Sequence, residues 1–156
     1  MGFLHQAGAA AILVTLTLAI QCAGMAALID WGISHLMRGE HRIGRVRAAA
    51  LMVRITSVMI VLHVLQILLW AGFYRWTCFP SLESAFYFST ASYSTVGYGD
   101  LLLPQMWRSL GPVESVTGVL MCGLSASFLF AIVTQLVARE LRFLRGADTG
   151  RGAVTL

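Results

Sequence analysis

The sequence predicts an all-α membrane protein with three transmembrane helices and one short re-entrant helix. Of its 156 residues, 58% are hydrophobic and 12% charged, whereas an ordinary soluble domain is about one quarter charged, and the mean hydropathy is +0.77. Residues 8–29, 55–74 and 115–138 contain no Asp, Glu, Lys or Arg. A shorter apolar, aromatic segment lies between the second and third of these runs. The chain leaves no room between them for a separate soluble domain of ordinary size, at least about 50 residues.

The first run, 8–29, spans roughly 33 Å as a helix, enough for the hydrocarbon core. It lacks a basic n-region and exceeds the apolar length of a secretory signal, about 7–15 residues, so it reads as a span that stays in the protein. The second run, 55–74, ends among Trp70, Phe73, Tyr74 and Trp76, an aromatic cluster suited to the headgroup level. The third, 115–138, follows Gly111, Pro112 and Glu114. Proline in a first turn and an acid near a helix N-terminus are both favourable, so a helix start is expected there.

Between the second and third runs, Pro80-Ser81-Leu82-Glu83 reads as a helix start with Ser81 as the cap. The apolar segment it opens, to Tyr93, has about 13 residues and cannot cross a bilayer. Bracketed by two spans, it is expected to dip in and return on the same side. The resulting division is an additional N-terminal transmembrane helix in 1–33, an Arg-rich connector in 34–54, a helix, re-entrant segment and helix over 55–138, and a short tail in 139–156.

The formal charge is +4, and every basic residue other than histidine is arginine. Arg38, Arg42, Arg45, Arg47 and Arg54 fall in or beside the connector, and Arg139, Arg142, Arg145 and Arg151 in the tail. Arginine flanking apolar spans marks the cytoplasmic side and argues against a nucleic-acid surface. The connector and tail are therefore expected inside, the N-terminus outside, and the re-entrant segment open to the outside. The arginines precede the second run rather than lying within it, so an interface with anionic lipid is the better reading than a voltage sensor. The lack of lysine points to a GC-rich bacterial genome, and the expected location is the plasma membrane, for a bacterium its inner membrane.

Cys22, Cys78 and Cys122 cannot all pair within one chain, and Cys22 and Cys122 sit inside apolar runs as small hydrophobes. No metal-ligand spacing, hydrolase elbow, phosphate loop or suitably placed pair of carboxylates occurs, so no organic cofactor and no enzyme chemistry are expected.

After the short helix comes Ser94-Thr95-Val96-Gly97-Tyr98-Gly99-Asp100. With a helix before it, a re-entrant helix leading into it and a helix after it, this run resembles the selectivity filter of the potassium-channel pore family. The resemblance implies a homotetramer in which the backbone carbonyls of Thr95, Val96, Gly97 and Tyr98, with the Thr95 hydroxyl, line stacked K⁺ sites. An ion leaving water must be offered oxygens at similar spacing, which such carbonyls supply. Gly97 and Gly99 allow alternate residues to take backbone angles that a Cβ disfavours. Asp100 comes next as a supporting residue, and Val96 and Tyr98 are expected to pack behind the filter, Tyr98 against the pore-helix aromatics Tyr87 and Phe88. The C-terminal end of the pore helix would face the ion path with its partial negative charge. Many two-helix bacterial members carry Glu where this chain has Ala91, so Asp100 is expected to lack that carboxyl partner, and their filter inactivation is not carried over.

Gly123 lies mid-span, where the family often has a hinge glycine, and it also begins a run of small residues with Ser127 and Ala131; hinge and packing readings both stand. Ala19, Ala23 and Ala27 form a similar ladder on the first span, expected to pack outside the pore helices of its own or a neighbouring subunit. Gln21, His63 and Gln66 are polar groups at membrane depth, for which interhelical hydrogen bonding is the first reading; His63 could also respond to pH. Two other functions compete with a passive K⁺ channel: a membrane subunit of a potassium uptake system, and a regulatory subunit that co-assembles with another channel. One complete filter motif per chain disfavours both.

Overall fold

The computed structural model describes residues 2–36 and 44–152, and these contain helices without strands: α1 (Gly2–Leu36), α2 (Arg45–Thr77), α3 (Leu82–Tyr93), a 3₁₀ turn (Gln105–Trp107) and α4 (Leu110–Gly152). Three stretches are long and apolar enough to cross a membrane: Leu4–Gly32, Val46–Thr77 and Gln105–Arg142. At 33 residues, α2 is about 50 Å long, well beyond a hydrocarbon core of about 30 Å. Its first turns therefore carry the arginines read from sequence as connector. Within 34–54, the described parts are the end of α1, Gly44 and the start of α2. Arg38 and Arg42, and the side chains of Arg45, Arg139, Arg145 and Arg151, lie outside the described residues. Arg54 sits 4.3 Å over the Trp31 ring, joining α1 to α2 at this end.

The outward face of α2 is apolar, with Ile60, Val61, Val64, Leu65 and Leu68 exposed, the composition of a helix surrounded by lipid. Inside, apolar side chains form two layers. One joins Leu13, Trp70, Ala71, Tyr74, Ala85, Leu103 and Leu110; the other joins Leu28, Ile55 and Met59 with partly buried Phe128, Leu129 and Ile132. Because Leu13, Trp70 and Leu110 share the first layer, the beginning of α1, the end of α2 and the beginning of α4 lie at one end of the bundle. Gln6 of α1 also accepts a hydrogen bond from Ser109 there. The N-terminus and the loops around α3 are thus on the same side, as the three-span topology requires.

The face that α1 turns inward is Leu13, Thr17, Gln21 and Leu28, all buried, with Gly24 against Leu62, whose methyl carbons would stand 2.4 Å from an added Cβ. Ala19, Ala23 and Ala27 are exposed on the single chain. The alanine ladder therefore does not pack within its own chain, because Thr17, Gln21 and Gly24 supply the polar and close contacts that fix the helix's rotation.

The helix α3 starts as expected: Ser81 Oγ accepts from Ser84 N at 3.1 Å, satisfying one of the free amides of the first turn. Gly111 and Pro112 lie in the first turn of α4, where proline forfeits no helical bond. Glu114 is not in that turn. The favourable end-of-helix charge expected of it is replaced by burial: the residue is fully enclosed between α2 and α3.

Candidate functional site: the loop from Ser94 to Asp100

The loop begins where α3 runs out of helical partners. Ser94 N and Thr95 N donate to Thr90 O and Ser92 O at 3.1 and 2.9 Å, and Gly97 N reaches back to Ala91 O at 3.0 Å. Ser115 Oγ of α4 adds a bond to Ser92 O at 2.7 Å. Terminal carbonyls of a helix must find donors outside it, and here the loop's own amides supply most of them. The end of α3 and the loop are consequently one hydrogen-bonded unit.

Beyond that point the backbone alternates. Thr95, Gly97 and Gly99 have φ of 63°, 52° and 77°, a region that L-residues avoid and glycine enters freely. Thr95 is the one non-glycine with positive φ among the described residues. A non-glycine held there stores strain of order 1–3 kcal/mol, a feature that clusters at functional sites. Every second residue reversing its φ is what lets carbonyls of successive residues aim along a common side of an extended loop.

The aromatic support divides between two faces of α3. Tyr87 stacks on Tyr98, with ring centroids 6.4 Å apart and planes 12° apart, and Tyr87 Oη donates to Asp100 Oδ2 at 2.8 Å. The other oxygen, Oδ1, accepts from Leu101 N at 3.1 Å. Asp100 thus has a phenol as partner where a carboxyl was expected to be missing. Phe88, expected beside Tyr98, instead meets Tyr74 edge-on at 5.1 Å and Phe79 at 5.4 Å. One residue further along a helix turns the side chain by about 100°, which carries Phe88 to the α2 side.

Behind the loop, α4 presses directly on α3. A Cβ on Gly118 would lie 2.2 Å from the Tyr93 carbonyl oxygen. Glu114 takes hydroxyl contacts from Tyr74 at 2.9 Å and Ser89 at 2.5 Å, tying α4 to α2 and α3. Sequence reading missed the roles of Gly118, Glu114, Tyr74 and Ser89; a carboxylate directly at the start of an apolar run was the available sign.

A family model described as an ion channel matches residues 51–135, more than half of the chain. The chain belongs to this ion-channel family. No curated protein and no solved structure matches. The channel is thus a multi-pass membrane protein whose matched region takes in α2 from Leu51, α3, the 94–100 loop and α4 as far as Gln135, while α1 lies outside it. In the channel's single chain the loop is uncovered: Val96 is 54% and Tyr98 72% exposed. Gly123, Ser127 and Ala131 are also exposed on α4, and a Cβ on Gly123 would meet nothing within 4 Å. Within the single chain that face is left open. Cys22 and Cys122 are free and exposed, as apolar-span residues would be, and Cys78 is free and half-buried.

Proposed function

We propose that this channel is a passive, potassium-selective one, formed by four copies of the chain around residues 95–100. The observation that carries the reading is the alternating positive φ at Thr95, Gly97 and Gly99 within the run Thr95-Val96-Gly97-Tyr98-Gly99-Asp100. Carbonyls of Thr95, Val96, Gly97 and Tyr98 from four chains, with the Thr95 hydroxyl, would replace the water lost by K⁺. The tetramer is supported by the exposure of the loop. Non-helical backbone at membrane depth is tolerated only where protein covers it or water reaches it, and one chain leaves Val96 and Tyr98 open.

Reconstituted protein in a K⁺/Na⁺ gradient should reverse near the potassium equilibrium potential, and native mass spectrometry should give a tetramer. Reversal near zero, or a dimer as the sole assembly, overturns the reading.

The orientation that accompanies this reading puts the loop and Cys78 outside and the start of α2 in the cytoplasm, from the arginine distribution. An impermeant maleimide on intact cells should label Cys78. Its thiol is pushed up by burial, an effect only partly offset by the Thr77 hydroxyl 3.2 Å away. Since the thiolate is the reactive form, labelling should be slow at neutral pH and accelerate at a more alkaline pH than for an open cysteine. In a Cys78→Ser background, Arg47→Cys should label only after permeabilisation; labelling of Arg47→Cys in intact cells reverses the topology.

A further inference from the structure

Between the two apolar layers of the bundle lies a closed ring of polar side chains contributed by all four helices. Gln21 Nε2 donates to Ser125 Oγ at 2.9 Å, and Ser125 Oγ lies 3.1 Å from His63 Nε2. His63 Nδ1 lies 2.8 Å from Tyr93 Oη. The Tyr93 hydroxyl donates to Gln66 Oε1, and Gln66 Nε2 donates to Gln21 Oε1 at 2.7 Å. Gln21 and Gln66 are fully buried, and Tyr93 and Ser125 nearly so.

Donor counting fixes the direction. A tyrosine hydroxyl has one hydrogen, and Tyr93 gives it to Gln66, so His63 must donate from Nδ1 to Tyr93. A neutral imidazole then accepts at Nε2, and Ser125 donates to it while accepting from Gln21. The ring runs one way throughout: Gln21, Ser125, His63, Tyr93, Gln66 and back to Gln21. Met25 Sδ, 3.7 Å from Gln21 Nε2, takes the side of the amide's second hydrogen and holds this orientation. Chains of this kind polarise one another, and in a low-dielectric interior an opened ring leaves a buried polar group unpaired.

Tyr93 is the last residue of α3, directly before Ser94 and Thr95. Its carbonyl is the atom against which Gly118 packs, and its ring reaches the polar ring. Gln21 supplies the contribution of α1, the helix outside the family match.

We propose that Gln21 makes α1 a working part of the ion pathway: a positioning residue that, through Gln66, Ser125 and His63, fixes Tyr93 and with it the inner end of the 95–100 loop. The proposal rests on the potassium-filter reading. In it α1 contributes more than apolar packing, because Gln21 adds hydrogen bonds to α2 and α4 that Leu13 and Leu28 do not supply.

The test is a double-mutant comparison in reconstituted tetramers. Gln21→Met keeps the side-chain volume and removes both hydrogen bonds; Tyr93→Phe removes the hydroxyl at the opposite side of the ring. Each should raise the Na⁺/K⁺ permeability ratio by at least about fivefold, since one lost hydrogen bond is worth about that factor and each variant loses two in the ring. The double variant should be no worse than either single one, as expected of residues in one network. A wild type without K⁺ preference would defeat the potassium reading itself. A selective wild type with Gln21→Met unchanged in permeability ratio, or with additive effects in the double variant, overturns the positioning role and leaves the potassium reading intact. Nitrogen NMR of the reconstituted protein gives a readout independent of current. His63, assigned by its loss in His63→Asn, should be the neutral Nδ1–H tautomer in the wild type and lose that single state in Gln21→Met. An Nε2–H tautomer or an imidazolium in the wild type overturns the ring, and this arm decides the matter if either variant fails to assemble.

Discussion

Gly97→Ala should abolish K⁺ current, while Tyr98→Asp should leave current but move the reversal potential toward zero. Nothing stands within 4 Å of a Cβ on Gly97 in the single chain, so the first effect does not come from a clash there. It comes from φ, which is +52° at this position. An L-residue held at positive φ costs roughly 1–2 kcal/mol, and a fourfold assembly would meet that cost four times, about 4–8 kcal/mol in a loop already strained at Thr95. Relaxing it means turning the Gly97 carbonyl away from its neighbours, which removes an ion site. Tyr98→Asp acts on the side chain instead. It deletes the ring that stacks on Tyr87 and sets a carboxylate near Asp100, so the outer half of the loop should widen while the inner half persists. The check is single-channel recording with K⁺/Na⁺ gradients on both variants. Undiminished selective current in Gly97→Ala, or an unshifted reversal potential in Tyr98→Asp, removes the loop from the selectivity role.

Gly118→Ala should be the most damaging single methyl in α4, and Gly123→Ala, five residues on, among the mildest. At Gly118 the obstacle is the Tyr93 carbonyl oxygen, 2.2 Å from the added carbon, with the carbonyl carbon at 3.0 Å. Backbone cannot rotate out of the way as a side-chain tip can, so α4 must move off α3. Overpacking of this kind costs typically 1–3 kcal/mol, and here the atom displaced belongs to the residue before the 94–100 loop. Thermal unfolding in detergent should show a lowered midpoint, and K⁺ selectivity should fall with it. At Gly123 no neighbour lies within 4 Å, and replacing a helix-interior glycine by alanine is worth about 0.8–1 kcal/mol in helix propensity. The midpoint should hold or rise. A changed open probability at unchanged stability would mark Gly123 as the hinge. A fall in tetramer stability would instead mark the Gly123, Ser127 and Ala131 face as a contact between chains. If Gly118→Ala is as stable and selective as the wild type, the close approach of α4 to α3 is not a feature of the assembled channel.

The three spans, the short helix and the position of the loop were legible in the sequence because each depends on local chemistry. Long uncharged runs can only be covered by lipid or protein, Ser81 can only cap the helix that starts beside it, and glycine at 97 and 99 announces a backbone that other residues resist. The choice of partners was not local. Sequence could say that Gln21, His63 and Gln66 need hydrogen bonds at membrane depth, but not that Tyr93 and Ser125 complete them, since that depends on the rotation and height at which four helices meet. The same holds for aromatic support, where Tyr87 and Phe88 are equivalent by composition and only the packing of α3 between α2 and α4 sends one to Tyr98 and the other to Tyr74. Glu114 read as a helix-end charge and Ala19, Ala23 and Ala27 as a packing face; tertiary structure enclosed the first and exposed the others. By itself the sequence determined that the three apolar runs and the short segment before the loop are helical and where the backbone must bend, because propensity, capping and apolar length act within a few residues; that α2 and α4 continue as helix into the connector and the tail came from the structure. Tertiary structure alone decided which side chains meet, because a contact between residues as far apart as Gln21 and Ser125 exists only once the helices are docked.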